Sequence, residues 1–158
     1  MTRRNIKLPD KASELILVAL LDLEKVERDP AYEVDMDMWH CPDEGLCSVC
    51  LAGAVIATHG RASKSAVVWP WNYPGETEDK LHALDYFRGG HLAKGLSALT
   101  AGFASTASPM SLRVFDFSPE AKKQLNALMM GWLSYGDSPE AFKTQMRELA
   151  AILREDGY

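Results

Sequence analysis

Between positions 15 and 23, Leu15, Ile16, Ala19, Leu20 and Leu23 recur at intervals of three and four, the spacing that gathers side chains on one face of an α-helix. This predicts a first helix that begins near Pro9 or Asp10, runs to about Glu27 and is stopped by Arg28-Asp29-Pro30. The period then changes to two. Across "AYEVDMDMWH", Tyr32, Val34, Met36 and Met38 alternate with Glu33, Asp35, Asp37 and Trp39, which predicts a strand with one apolar and one acidic face. "CPDEG" reads as a turn. Over residues 46–59 the chain is apolar almost all round, with Gly60 placed to close a helix at its C-terminus. A helix without a polar face is a buried one, so residues 46–59 are the expected centre of the core.

Further along, Val67-Val68-Trp69 is a short strand candidate that leads into a loop rich in proline and aromatic residues. Thr77 with residues 80–87 predicts a helix ended by Gly89 and Gly90, and a shorter helix follows over 91–99. Residues 98–110 are the most loop-like stretch, and Leu112, Val114 and Asp116 alternate against Arg113, Phe115 and Phe117 as a second strand over 111–117. Ser118-Pro119-Glu120 and Ser138-Pro139-Glu140 each supply a capping hydroxyl, a proline at the first helical position and an acid near the positive helix end. Leu125, Leu128, Met129, Trp132 and Leu133 line one of the helices so started, and Phe142, Met146, Leu149, Ala150 and Leu153 line the other; with little chain between them they should form an antiparallel hairpin. The expected fold is a single, predominantly helical α+β domain over 1–158, with four to six helices around the 46–59 helix and a small sheet built on the Tyr32 strand.

Composition fits that picture: 158 residues, 47% hydrophobic and 25% charged, describe one average globular domain. The N-terminus starts basic and then turns apolar, but Asp10, Lys11, Glu14 and Asp22 interrupt or flank the run, so it reads as a cytosolic amphipathic helix and not as a secretory signal. No apolar segment approaches the roughly 18 to 20 residues that span a bilayer, and the expected location is cytoplasmic. Charge changes the picture more. The net charge is −5, yet residues 22–44 alone carry nine acids against Lys25 and Arg28, and the rest of the chain is slightly basic. Direct nucleic-acid binding through this stretch is disfavoured, because phosphates need clustered lysine and arginine. A protein partner with a basic surface fits it, and so does a plain solvated face.

All three cysteines lie in "WHCPDEGLCSVC", and an odd number without a signal argues for reduced thiols. Cys41, Cys47 and Cys50 with His40 contain enough soft and borderline ligands for a tetrahedral zinc. His59 lies nine residues beyond Cys50, roughly 13 Å along a straight helix, too far to share that metal. A Cys47-Ser48-Val49-Cys50 pair near a helix N-terminus also matches a redox dithiol, but no thioredoxin-like βαβ pattern accompanies it. Burial explains more of the residues: free cysteine behaves as a small apolar side chain, and Ala52-Gly53-Ala54 keeps the helix thin enough to be packed on several sides.

Two other places hold candidate chemistry. Glu33, Asp35 and Asp37, helped by Asp43 or Glu44, offer oxygen ligands to a hard cation, as a small metal-dependent hydrolase or nuclease would need. "WPWNYPGE" sets Trp69, Trp71 and Tyr73 among prolines, and stiff aromatics make efficient binding anchors or, turned inward, a lid on the core. His82 and His91 flank the Gly89-Gly90 break near Asp85 and Arg88, but no nucleophile pattern and no phosphate-binding glycine loop accompanies them.

The stretch "MDMWHCPDEGLCSVCLAGAVIA" resembles a group of small uncharacterised proteins of tailed bacteriophages and prophages, in which an acidic strand ending in Trp-His leads into a Cys-x-Val-Cys-Leu-Ala-Gly-Ala-Val helix. The resemblance covers residues 26–60 and carries no activity. It implies an accessory protein that binds and redirects a host or defence protein. The leading expectation is therefore a non-enzymatic binding protein without cofactor, contacting its partner through Glu33, Asp35, Asp37, Trp69, Trp71 and Tyr73. A zinc-stabilised domain using His40, Cys41, Cys47 and Cys50 is the alternative.

Overall fold

The apolar stripe of the first helix becomes buried surface. In the computed structural model, which describes residues 3–104 and 117–158, helix α1 (Ala12–Arg28) buries Leu15, Ile16, Ala19, Leu20, Leu23 and Val26. It stops where expected: the Asp29 carboxylate accepts the Ala31 N–H at 3.0 Å, a local bond that competes with further helix.

The acidic alternation forms much less strand than expected. Strand β1 is only Tyr32–Val34, because the Asp35 carboxylate accepts the Asp37 N–H (2.9 Å) and the Asp35 carbonyl accepts the Met38 N–H (3.1 Å), which turns the chain out of the sheet. The expected turn at "CPDEG" is itself part of a hairpin. Strand β2 (His40–Asp43) and strand β3 (Leu46–Val49) are joined by Glu44 and Gly45 at φ 42° and 91°, two left-handed residues of the kind a tight right-twisted hairpin needs. The long 46–59 helix is corrected accordingly: its first four residues are the central strand of a three-stranded sheet in the order β1-β3-β2. β1 runs parallel to β3 with Tyr32 opposite Cys47, and β2 runs antiparallel to it with Cys41 opposite Ser48.

Helix α2 (Leu51–Thr58) supplies the remainder of that segment, and Leu51, Ala52, Ala54, Val55 and Ile56 are completely or almost completely buried. Cys50 caps it, its Sγ accepting the Gly53 N–H at 3.3 Å. Gly60 does not close the helix as expected. The left-handed residue is Arg61 (φ 48°), while Gly60 is needed for close approach, since a Cβ there would lie 2.4 Å from the Tyr73 hydroxyl.

α2 packs against α1 and against α3 (Gly75–Asp85), the helix expected from Thr77 onward. Val67-Val68 forms no strand, although the Val68 N–H bonds to the His40 carbonyl (3.0 Å) and ties the loop to the edge of β2. Gly89 and Gly90 break the chain with positive φ, and α4 (Leu92–Ala104) packs on α3, with Gly95 directly over the Phe87 ring. The loop expected over 98–110 is helical to Ala104; its remainder, and the second strand expected over 111–117 apart from Phe117, lie outside the described residues.

Both serine caps form. Ser118 and Ser138 accept the N–H of Ala121 (3.1 Å) and Ala141 (3.3 Å) at the start of α5 (Pro119–Met130) and α6 (Pro139–Glu155). The two helices are antiparallel, with the Ser118 N–H bonded to Asp156 at the far end of α6 (3.1 Å). α6 lays Phe142, Met146, Leu149 and Leu153 into the core against α1, whereas Met129 and Leu133, expected on the inner face of α5, are exposed. No helix among the described residues is long and apolar enough to cross a membrane.

Candidate functional site

The acids of the 22–44 segment do not share one face. Glu33 is exposed on the outer side of the sheet, in a row with Ser48 and Cys41 set by the strand register. Asp35 is half-buried and spends its carboxylate on the turn. Asp37 lies in that turn and gives its N–H to Asp35, but its side chain stands clear, 91% exposed and 4.0 Å from the Arg88 guanidinium. Asp43 and Glu44 are exposed at the tip of the hairpin, at the opposite end of the sheet. Among the described residues no three of His, Cys, Asp and Glu converge on a point where a metal could sit.

The aromatic loop divides just as clearly. Residues Pro70–Asn72 form one turn of 3-10 helix, fixed by Asn72 Oδ1 accepting the Trp69 N–H at 2.8 Å. That turn stacks the Trp69 and Trp71 rings 5.0 Å apart and 7° from parallel, and leaves Trp71 55% exposed. Tyr73, expected at the same surface, is instead buried: the end of the turn points it inward, over Gly60, so it is removed from the contact set.

Backbone links set an upper limit on the separation of Asp37 and Trp71. Asp37 is three residues before His40, Trp71 is three residues after Val68, and His40 and Val68 share a hydrogen bond. At about 11 Å for three residues and about 5 Å for the rung, Asp37 and Trp71 lie within about 27 Å of each other. A standard protein interface of about 800 Å² per partner reaches across that distance.

Of the four expected zinc ligands, the structure brings two together. His40 and Cys47 are buried on the inner side of the sheet with Nδ1 and Sγ 3.6 Å apart. Cys41 alternates to the outer side, and Cys50 is engaged at the α2 cap. Burial pushes the Cys47 thiol up and the Cys50 thiol up to about 12, and it pushes His40 down, so this is a contact between a neutral thiol and a neutral imidazole. His40 Nδ1 lies 2.8 Å from the Ala66 carbonyl, which requires the proton on Nδ1 and leaves Nε2 as the acceptor. The lowered thiol pKa of a redox pair is not built here.

Two charged groups take buried positions that the sequence did not show. Asp22, fully buried in α1, binds His59 Nδ1 and, at 3.3 Å, the Lys25 ammonium. Asp85, at the end of α3 and 9% exposed, is pushed up by burial, with Arg88 Nε 3.8 Å away to oppose the shift. Asp85 and Arg88 were visible as neighbours in sequence, but their link to Asp37 depends on the Asp35 turn. Trp39 completes this region by standing edge-on to His82, ring centres 5.4 Å apart.

No family model, no curated protein and no solved structure matches this chain.

Proposed function

We propose that this protein works by binding a protein partner with a basic surface, through Glu33 and Asp37 and the Trp69–Trp71 stack. The observation that carries this reading is the exposure of Trp71. A tryptophan that only covered the core would turn its ring inward, as Tyr73 does, whereas Trp71 is held outward by a proline-stiffened turn. Rigid, amphipathic rings lose little entropy on binding and are the usual anchors of interfaces. Exposed acids within the reach of one interface with such an anchor speed the approach of a cationic surface. The phage-like segment over 26–60 supports the same role, an accessory protein acting on a host or defence protein.

Affinity capture from a bacterial extract tests this. A partner retained by the wild type, released by salt and lost with the Asp37→Lys, Trp71→Ala double variant is the expected result. Equal retention by the variant, with its melting temperature unchanged, would overturn the reading.

A further inference from the structure

We infer that the outward face of the α5–α6 hairpin pairs with the same face of a second copy of this chain, the two hairpins forming a four-helix layer about a two-fold axis. The inference is independent of the binding role proposed above. α5 sends only Ala121, Leu125 and Leu128 into the core. Its outward stripe is Lys123, Ala127 and Met130, at the i, i+4, i+7 spacing of one helix face, and all three are exposed. Met130 is 92% exposed, more than any other large hydrophobic side chain described. On α6 the outward stripe is Thr144, Glu148, Ala151 and Glu155, also exposed.

The two stripes match each other in order. The hairpin register is fixed by the Ser118 N–H on the Asp156 carboxylate (3.1 Å) and by the Leu133 N–H on Gln145 Oε1 (2.9 Å). Counting inward from these two bonds puts Lys123 level with residues 151–155, Ala127 with 147–151 and Met130 with 144–148. A two-fold axis along the groove between the helices keeps those levels and lays α5 of each copy over α6 of the other. Lys123 then meets Glu155, Ala127 meets Ala151, and Met130 meets Thr144.

Charge selects a second copy as the occupant. Lys123, Glu148 and Glu155 make no side-chain hydrogen bond or ion pair among the described residues, so the charges of both stripes are unmatched within the chain. Under this symmetry opposite signs face each other twice, as a self-complementary contact requires. The helices laid together are antiparallel, which sets their dipoles in opposition. Shape agrees with charge. A groove of about 750 Å³ runs between α5 and α6, with Ala127, Gly131, Ala141 and Ala151 in its lining, and side chains that small let a second pair of helices come close.

Sedimentation equilibrium of the full chain at low salt tests this directly. It should show a monomer–dimer equilibrium, the dimer at twice the 17.5 kDa mass of the chain. Met130→Asp, at a site too exposed to disturb the fold, should weaken the dimer at least about ten-fold. Lys123→Glu and Glu155→Lys should each weaken it as well. An equimolar mixture of those two variants should restore it, because their heterodimer regains both contacts between opposite charges. A chain that stays monomeric up to submillimolar concentration would overturn the inference and leave this face to a different protein. A dimer indifferent to these substitutions, or a mixture no tighter than its separate components, would overturn it by showing that the copies meet elsewhere.

Discussion

The carbonyl of Trp39 rests on Gly53: a Cβ added to Gly53 would lie 1.5 Å from that oxygen, and the nearest obstacle is backbone, which no rotamer change can relieve. The acidic turn is thus seated on the first turn of α2, and the residue that permits it is a glycine inside a helix, where glycine costs about 1 kcal/mol relative to alanine.

Gly53→Ala should therefore destabilise the fold despite its better helix propensity. A loss at or above the upper end of the ~1–3 kcal/mol usual for overpacking is expected in urea unfolding, with weakened binding through Asp37 as the turn lifts. Unchanged or raised stability would mean that the Trp39 segment does not sit there.

Two buried groups set the pH response, with opposite signs. Burial lowers the His40 pKa from its ordinary 6.5, so below that pH the unfolded chain takes a proton that the native site resists. Stability should fall as pH drops from about 6.5 through the native His40 pKa, by at most about 1.4 kcal/mol per pH unit. His40→Gln, which keeps a donor for the Ala66 carbonyl, should flatten the fall, as followed by urea midpoints across that window.

Asp85 acts the other way. Its carboxyl is pushed above 3.8, so its contribution is present at low pH and is lost as pH rises through the native value; at neutral pH the buried carboxylate is a net cost. Asp85→Asn should raise neutral-pH stability, within the ~0.5–2 kcal/mol typical of relieving one such defect. A drop in stability would show that the Arg88 contact outweighs the burial.

Arg61 occupies the left-handed region, which disfavours any side chain with a Cβ. Arg61→Gly should stabilise the protein by up to ~1 kcal/mol, seen as a higher melting temperature.

The thiols should separate by accessibility. Cys41 is half-buried on the outer side of the sheet, whereas Cys47 and Cys50 are 1% exposed. A disulfide reagent should titrate one thiol in the native protein and three after denaturation. Metal analysis alongside it checks the zinc alternative: one zinc per chain, with thiols freed only by chelation, would show that the loaded protein regroups Cys41 and Cys50 around His40 and Cys47.

What was legible in the sequence depended on how far each signal reaches. The α5 and α6 starts were readable because serine, proline and glutamate act within one turn of chain. The β2–β3 hairpin was not, because an apolar run looks alike in a buried helix and a central strand, and Glu44 is an unusual residue for a left-handed position. Alternation of aromatics over 69–73 could not say which ring faces out; the 3-10 turn decided that in favour of Trp71 over Tyr73. The Asp22–His59 pair joins residues 37 positions apart on two helices, and no local pattern encodes it.

The packing of α6 on α1 also governs how the chain reaches its native state. Glu27 receives the Lys143 ammonium at 3.0 Å and the Tyr135 hydroxyl at 3.1 Å, partners 116 and 108 residues later in the chain. α2 covers part of the apolar face of α1, but the part against α6 can be covered only after residues 139–155 have been synthesised and a loop of more than a hundred residues has closed. Until then that part of the face remains open to water and to other chains. The slow step of folding, and the window in which aggregation competes with it, should be the docking of the last helix onto the first.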